Sequence, residues 1–565
     1  MLDFGTTRRG AVCLTDRERT RHVHVVGATG SGKSKFLEHL IRQDINARRG
    51  LCLIDPKGSL AGDIEAWCAS RGLGRTRRIH VVRPGEGGWT AGFNPLRLDR
   101  GEMPNVRVDA TVAACAQVWG GEDLNQTPRL KKVLRAVFFA LAVRDLTLAE
   151  APFLLRAADP DGMRRTLTAG LPDSVFQFIW DDLNALSRRE FSEYAESTVS
   201  RLAQFLASPS VRLMVGQRSS AIDFRRVMDE GDIVIVDLGL RGGFSREDGR
   251  VVGALIINDL FLTALSRDEA TAKRRPFALY VDEAHDFLTG DVEALLDRTR
   301  SLGLHAVLAH QRLGQLTSRG ENIYSAVMGS TRTKIVFGGL SDDDAGVMAR
   351  ELMRDEFDLH QANPMLDRRV VVGEEPWWYG ATNWSEAENE SHTSTATVGA
   401  SETESAGSTL SEHYDHDDEA TGWNEGENSA SASSTHESYS ESDGFSRSRT
   451  QGGGTHEGVR HQWGVAQTPY KLDELIHFGQ VMLRSLPDRM AVVKRAGRHT
   501  VRMRTREVPA PLCGAATLAR FREQAHERSP YAATVAVAEA EIATRRALLD
   551  ARSERGVQSF WTNED

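Results

Sequence analysis

The sequence predicts an α/β protein: a parallel, doubly wound sheet interrupted by an all-helical subdomain. Three observations carry this. Strand and helix signals alternate over residues 1–100 and again over 226–383. Strand signals vanish between them, over residues 101–225. A glycine-rich turn, Gly27–Ser34, joins an apolar run to an amphipathic helical stretch. Alternation of this kind marks a sheet covered by helices on both faces.

Taken in order, Val23–Val26 is a buried strand and Lys35–Ile41 the helix after the turn. Gly50–Ile54 is a second strand, ending at Asp55-Pro56-Lys57-Gly58, and Arg78–Val82 a third. Phe93-Asn94-Pro95-Leu96 reads as a closing turn. Thr127-Pro128 supplies an N-cap and first-turn proline ahead of the helix Arg129–Val143. Further helices are expected at Met163–Thr168, Ser174–Leu186 and Arg189–Leu206. The sheet resumes at Asp232–Asp237, followed by a helix at Arg250–Ser266. Strands then follow at Phe277–Glu283, His305–Ala309 and Thr333–Phe337.

Residues 384–460 are rich in Ser, Thr, Glu, Gly and Asn; with little apolar surface to offset ordering entropy, disorder is expected. Residues 461–508 return to the core. Within them Met490–Lys494 and His499–Met503 form a hairpin about Ala496-Gly497. Residues 509–565 read as a charged helical tail.

The chain has 565 residues, enough for about three to four domain-sized units. Its five cysteines are scattered without CxxC spacing, which suggests neither a disulfide framework nor a zinc site and fits a reducing compartment. No signal-like apolar segment opens the chain, and the apolar stretch Val251–Leu265 holds Asn258 and Asp259. That stretch is too short to span a bilayer, so no transmembrane segment and a cytoplasmic location are expected. The net charge is −9. Fifteen acidic against two basic residues lie between Ser385 and Thr450, so that segment carries about −13 and the remainder about +4. A mildly basic body remains compatible with DNA.

Gly27-Ala28-Thr29-Gly30-Ser31-Gly32-Lys33-Ser34 matches GxxxxGK[ST] in the strand–loop–helix setting the pattern requires. Glycines let successive N–H groups point at one phosphate, and the helix N-terminus adds positive potential. Lys33 would reach the β- and γ-phosphates of ATP, and Ser34 would sit on Mg²⁺. Asp282 and Glu283 end an apolar strand; the first suits Mg²⁺, the second suits polarising an attacking water. Gln311 follows the next strand and can report the state of the γ-phosphate; it also reads as a polar strand end. Arg300 precedes that strand, on the rim where a neighbouring subunit could use it; it also reads as a solvated helix end.

Arg241 and Arg246 flank Gly242-Gly243-Phe244 after the strand ending at Asp237, and Arg312 and Arg319 follow Gln311. Loops of this composition suit contact with a DNA backbone. Arg129, Lys131, Lys132 and Arg135, and separately Arg188-Arg189, form further basic clusters in the helical part, each of which also reads as a plain solvated face.

Gly27–Ser34, Asp55-Pro56-Lys57-Gly58-Ser59, Phe93-Asn94-Pro95, Asp282-Glu283 and Ala309-His310-Gln311 together resemble the HerA/FtsK superfamily of hexameric DNA-pumping ATPases. Ser220–Arg225, and Thr333–Phe337 with Asp344-Ala345, are most similar to the TraG/TraD-type coupling proteins of conjugation and type IV secretion. The resemblance spans about residues 20–380 plus the hairpin near 490–503. It implies a RecA-like P-loop NTPase core, ATP and Mg²⁺ as cofactors, a DNA-stimulated ATPase and a homo-oligomeric ring, a hexamer. By it Lys33 and Ser34 bind nucleotide and Mg²⁺, Asp282 and Glu283 serve hydrolysis, and Gln311 senses nucleotide. Arg300, eleven residues before Gln311, becomes a finger acting in trans. Lys57 belongs to the pattern with no role assigned. Gly27 comes too early for the N-terminal anchor of coupling proteins, so a soluble variant is expected. Its setting is conjugation, a mobile element or phage defence, with a nuclease, relaxase or secretion channel as partner. The alternative is a nucleotide-dependent scaffold that assembles or loads a nuclease or relaxase and hydrolyses slowly.

Overall fold

The computed structural model describes residues 1–99, 101–119, 128–290, 292–317, 321–353, 365–390, 400–414, 420–435, 445–469 and 472–561. The chain divides into two compact units, Met1–Phe357 with Leu472–Asp565, and Asp358–Lys471.

The first unit is built on an eleven-stranded sheet. Its strands in chain order are β1 (Leu2–Thr7), β2 (Gly10–Leu14), β3 (Val23–Val26), β4 (Gly50–Asp55) and β5 (Ile79–Val82). After the short β6 (Trp89–Ala91), which lies outside this sheet, come β7 (Ile233–Asp237), β8 (Phe277–Val281), β9 (Leu304–His310) and β10 (Thr333–Phe337). In the second unit follow β11 (Met365–Glu390), β12 (Ala400–Tyr414), β13 (Ala420–Thr435) and β14 (Phe445–Pro469). The first unit then closes with β15 (Met490–Lys494), β16 (Val501–Thr505) and β17 (Ala532–Thr534). Across the large sheet the order is β2-β1-β16-β15-β10-β3-β9-β8-β4-β7-β5. The seven strands from β10 to β5 pair in parallel and the rest antiparallel. This is the α/β, RecA-like P-loop arrangement: one strand, β9, separates the strand feeding the glycine-rich turn from the strand ending in Asp282-Glu283.

Both faces are covered, and the two-residue period of a strand sorts the side chains between them. Leu51, Leu53, Ile233 and Ile235 join one apolar cluster with Phe36, Leu40 and Ile41 of the helix Lys33–Asn46. Cys52, Ile54, Val234 and Val236 join the other, with the helical part and the helix Arg246–Ser266. That helix starts earlier than the apolar stretch suggests. It is the one helix among the described residues long and apolar enough to cross a membrane, with 72% of its apolar window buried inside the protein. Its polar residues are engaged there: Asn258 donates to the Ala110 carbonyl at 3.1 Å and Asp259 pairs with Arg107.

The helices of residues 101–225 form close to where the sequence places them, at Pro128–Val143, Met163–Thr168, Ser174–Ala185 and Arg188–Ala207. Thr127, the expected N-cap, lies outside the described residues. Residues 509–565 do more than form a helical tail. β17 pairs with β6, Arg522 reaches Glu65 at 2.7 Å, and Arg545 reaches Glu150 at 2.9 Å. The segment therefore straps the sheet and the helical part together.

Within 384–460, the range expected to be disordered, residues 384–390, 400–414, 420–435 and 445–460 lie in paired strands, and 391–399, 415–419 and 436–444 lie outside the described residues. β11 pairs antiparallel with β14, from Met365 opposite Pro469 to Glu390 opposite Phe445, and β12 pairs with β13. Such an antiparallel ladder satisfies backbone N–H and C=O groups between its strands.

One buried charge network braces the first unit. Asp44 accepts from Arg19 at 2.7 and 2.6 Å and from the Tyr280 hydroxyl at 2.7 Å, all three residues being buried. Asp44→Ala leaves the guanidinium uncompensated and is expected to destabilise this unit by about 3–5 kcal/mol, read from its denaturant midpoint.

Candidate functional site

β3 delivers the chain into the turn Gly27–Ser34 between the ends of its two neighbours. Gly27 N–H donates to the His310 carbonyl at 3.4 Å and Ala28 N–H to the Gly338 carbonyl at 3.2 Å. A side chain at Gly27 would put its Cβ 2.5 Å from Phe337 Cβ. Gly30 and Gly32 hold φ of +86° and +103°, a conformation that disfavours other residues. The curl ends at Lys33, the first residue of the helix Lys33–Asn46, with Ser34 exposed beside it.

Lys33 is only 5% exposed. Its ammonium makes no hydrogen bond and lies 3.5 Å from Asp282 Oδ1 and 3.7 Å from Glu283 Oε1. Those carboxylates arrive from β8, two strands away in the sheet. Asp282 N–H is pinned to the Ile54 carbonyl at 3.0 Å, and Glu283 sits at φ +49°, a strained left-handed position for a residue with a side chain. From β9, Gln311 bridges the halves of the site: its Oε1 accepts from Thr29 Oγ at 2.8 Å and its amide nitrogen donates to Glu283 Oε1. Lys57, at the end of β4, donates to the same Oε1 at 2.6 Å. Glu283 Oε2 is buried and makes no hydrogen bond, with His285 Nδ1 3.7 Å away.

Burial and the neighbouring Glu283 charge push the Asp282 carboxyl above its ordinary range, although Lys33 opposes them. For Glu283 burial acts in the same upward direction, but Lys33, Lys57 and the Gln311 hydrogen bond outweigh it and hold the carboxyl below its usual value. Asp55 faces its own turn, accepting from the Lys57 and Ala61 amides at 2.9 Å each. Under the site His24 and His310 stack, Nε2 to Nε2 at 2.5 Å, while His310 Nδ1 donates to the Arg312 carbonyl at 2.9 Å. Burial keeps both rings neutral, His310 down to about 3. His310 Nε2 is therefore the acceptor and His24 Nε2 the donor. This pair steadies the Gln311 strand end, a role no sequence spacing announces.

Gly27–Ser34, Asp282, Glu283 and Gln311 thus converge. Arg300 does not join them within this chain: it is exposed at the opposite end of β9, about 20 Å along a seven-residue strand. Arg241 is held by both guanidinium nitrogens on Asp237, at 2.8 Å each, so it is engaged inside its own loop. Arg246 is 68% exposed with one edge 3.4 Å from Asp286, and Arg312 is exposed. Arg319 lies outside the described residues. In the helical part Arg135 pairs with Asp109 and Arg189 with Glu193.

A buried, unbonded ammonium beside a curled amide turn suits a polyanion such as a nucleotide's phosphates. No cluster of three or more His, Cys, Asp or Glu able to hold a metal occurs among the described residues. A hard divalent cation would therefore draw on Ser34 and Asp282 together with phosphate oxygens, as Mg²⁺ commonly does.

No family model matches the chain, and neither does any curated protein. Among solved structures it is similar to the plasmid coupling protein TrwB in complex with the non-hydrolysable ATP analogue ADPNP, at 17% identity and TM-score 0.49, covering 88% of each chain. TrwB in complex with ADP and Mg²⁺ overlaps at 15% identity and TM-score 0.46, covering 91% of this chain and 92% of that one. VirB4 of Thermoanaerobacter pseudethanolicus overlaps at 18% identity and TM-score 0.42, covering 62% of this chain and 88% of its own. Overlap this loose lends no weight to a shared activity.

Proposed function

We propose that this protein is a Mg²⁺-dependent ATPase that works as a ring, six-membered by the family resemblance, and moves along DNA in the cytoplasm. The supporting observation is the meeting of Lys33, Glu283 and Gln311 from three different strands around one amide turn. Lys33 gives up its two carboxylates to grip the β- and γ-phosphates. Glu283 Oε2, free of hydrogen bonds, takes the proton of the attacking water. The Gln311 amide, already spanning Thr29 and Glu283, reports whether the γ-phosphate is present. Ser34 and Asp282 would hold Mg²⁺, whose charge would offset that of the phosphate oxygens. The chemistry asks for positioning and charge stabilisation more than covalent work by the protein.

DNA contact is assigned to Arg246, at the start of the helix Arg246–Ser266, and Arg312, just after β9, whose side chains are both exposed. ATP hydrolysis is expected to rise when DNA is added. Arg246→Ala with Arg312→Ala should weaken DNA binding and flatten its salt dependence by about one to two counterions. A wild-type chain that turns over no ATP with any DNA overturns the motor. Nucleotide-driven assembly with slow, DNA-indifferent hydrolysis would favour the scaffold for a nuclease or relaxase instead.

A further inference from the structure

Lys57 has no part in the nucleotide cradle, yet its ammonium is the closest cation to the proposed base. We propose that Lys57 is a positioning residue: it fixes Glu283 through Oε1 so that Oε2 alone is presented to the attacking water. The proposal rests on reading Glu283 as the base.

Four observations carry it. Lys57 Nζ and the Gln311 amide both donate to Oε1, leaving Oε2 as the only carboxylate oxygen without a hydrogen bond. Glu283 occupies a left-handed backbone position, a strained one that persists only where its surroundings hold it. The turn presenting Lys57 is itself fixed. Asp55 holds the Lys57 and Ala61 amides, and a Cβ at Gly58 would come within 2.4 Å of Asp237 Oδ1. Finally, the Lys57 side chain is half-exposed while its partner is 5% exposed, so the fold does not need this lysine buried. An open cavity of about 500 Å³ is lined by Lys57, Arg246, Glu283 and Gln311 among others, so water can enter next to this residue although Oε2 itself is buried.

A base displaced by about 1 Å can lose on the order of 100-fold in rate. Lys57→Met is therefore expected to lower kcat by about 10- to 100-fold. KM, and the affinity for a fluorescent ATP analogue, should stay within about threefold. Lys57→Arg, which can still donate to Oε1, should recover most of the rate. In a Glu283→Gln background Lys57→Met should add no further loss. Amide hydrogen exchange across residues 282–287 should quicken in Lys57→Met and return in Lys57→Arg. A kcat that is unchanged or raised in Lys57→Met, or losses that multiply in the double variant, overturns the assignment. Glu283→Gln with wild-type turnover would instead sink the base. A wild-type chain without ATPase would sink the motor while the exchange measurement still decides whether Lys57 holds Glu283; unaltered exchange there overturns the proposal.

Discussion

Glu283→Gln should cut ATP turnover by about 10²- to 10⁴-fold, the usual worth of a general base, while the nucleotide stays bound. The substitution keeps the shape of the side chain and removes its ability to accept a proton. The surrounding contacts tolerate it. Lys33 retains Asp282 at 3.5 Å, and the half-exposed Lys57 can return to water. The cradle itself is anchored elsewhere, through the His310 and Gly338 carbonyls, so affinity for a fluorescent ATP analogue should persist. Loss of the negative charge facing the γ-phosphate works in the same direction. Phosphate release and nucleotide binding measured on one preparation test both halves. Turnover within tenfold of wild type would remove Glu283 from the chemistry.

Arg300→Ala should be more severe, about 10³- to 10⁵-fold in kcat, if Arg300 stabilises charge at a neighbouring subunit's γ-phosphate. Within its own chain the side chain stands at the far end of β9 from Gln311, exposed and remote from the cradle. In the proposed ring, one subunit would bring the cradle and Glu283 and the next would bring Arg300. Mixed rings of Arg300→Ala and Glu283→Gln subunits should therefore regain part of the activity that each lacks alone, because some interfaces pair an intact Glu283 with an intact Arg300. Absence of rescue at every mixing ratio would rule out action in trans.

Much of the core could be read directly. β4, β7 and β8 are nearly continuous apolar runs, as strands buried on both faces tend to be, β9 is apolar apart from His305 and His310, and the glycine-rich turn carries its own spacing. The partners brought together by the fold were harder. Lys57 and Glu283 lie 226 positions apart, and nothing local to either reveals the pairing. The His24–His310 stack is hidden for the same reason, across 286 positions. Arg241 is a different case: Asp237 lies only four residues before it, a local pairing that composition-based reasoning about DNA contacts passed over. The N-terminal strands were missed because β1 and β2 are short and alternate apolar with polar residues around Gly5. Among their side chains Leu2, Phe4, Val12 and Leu14 are buried, and so is Gly5.

Those N-terminal strands tie the start of the polypeptide to residues made much later. Gly5 pairs with Thr505, and β15, which covers the edge of β10, comes only a little earlier in the chain. At ribosomal speeds of about 5–20 residues per second, β10 waits roughly 8 to 30 s during synthesis before its edge is closed. An uncovered strand edge is a template for wrong partners, so that interval is one in which the nascent polypeptide is open to mispairing.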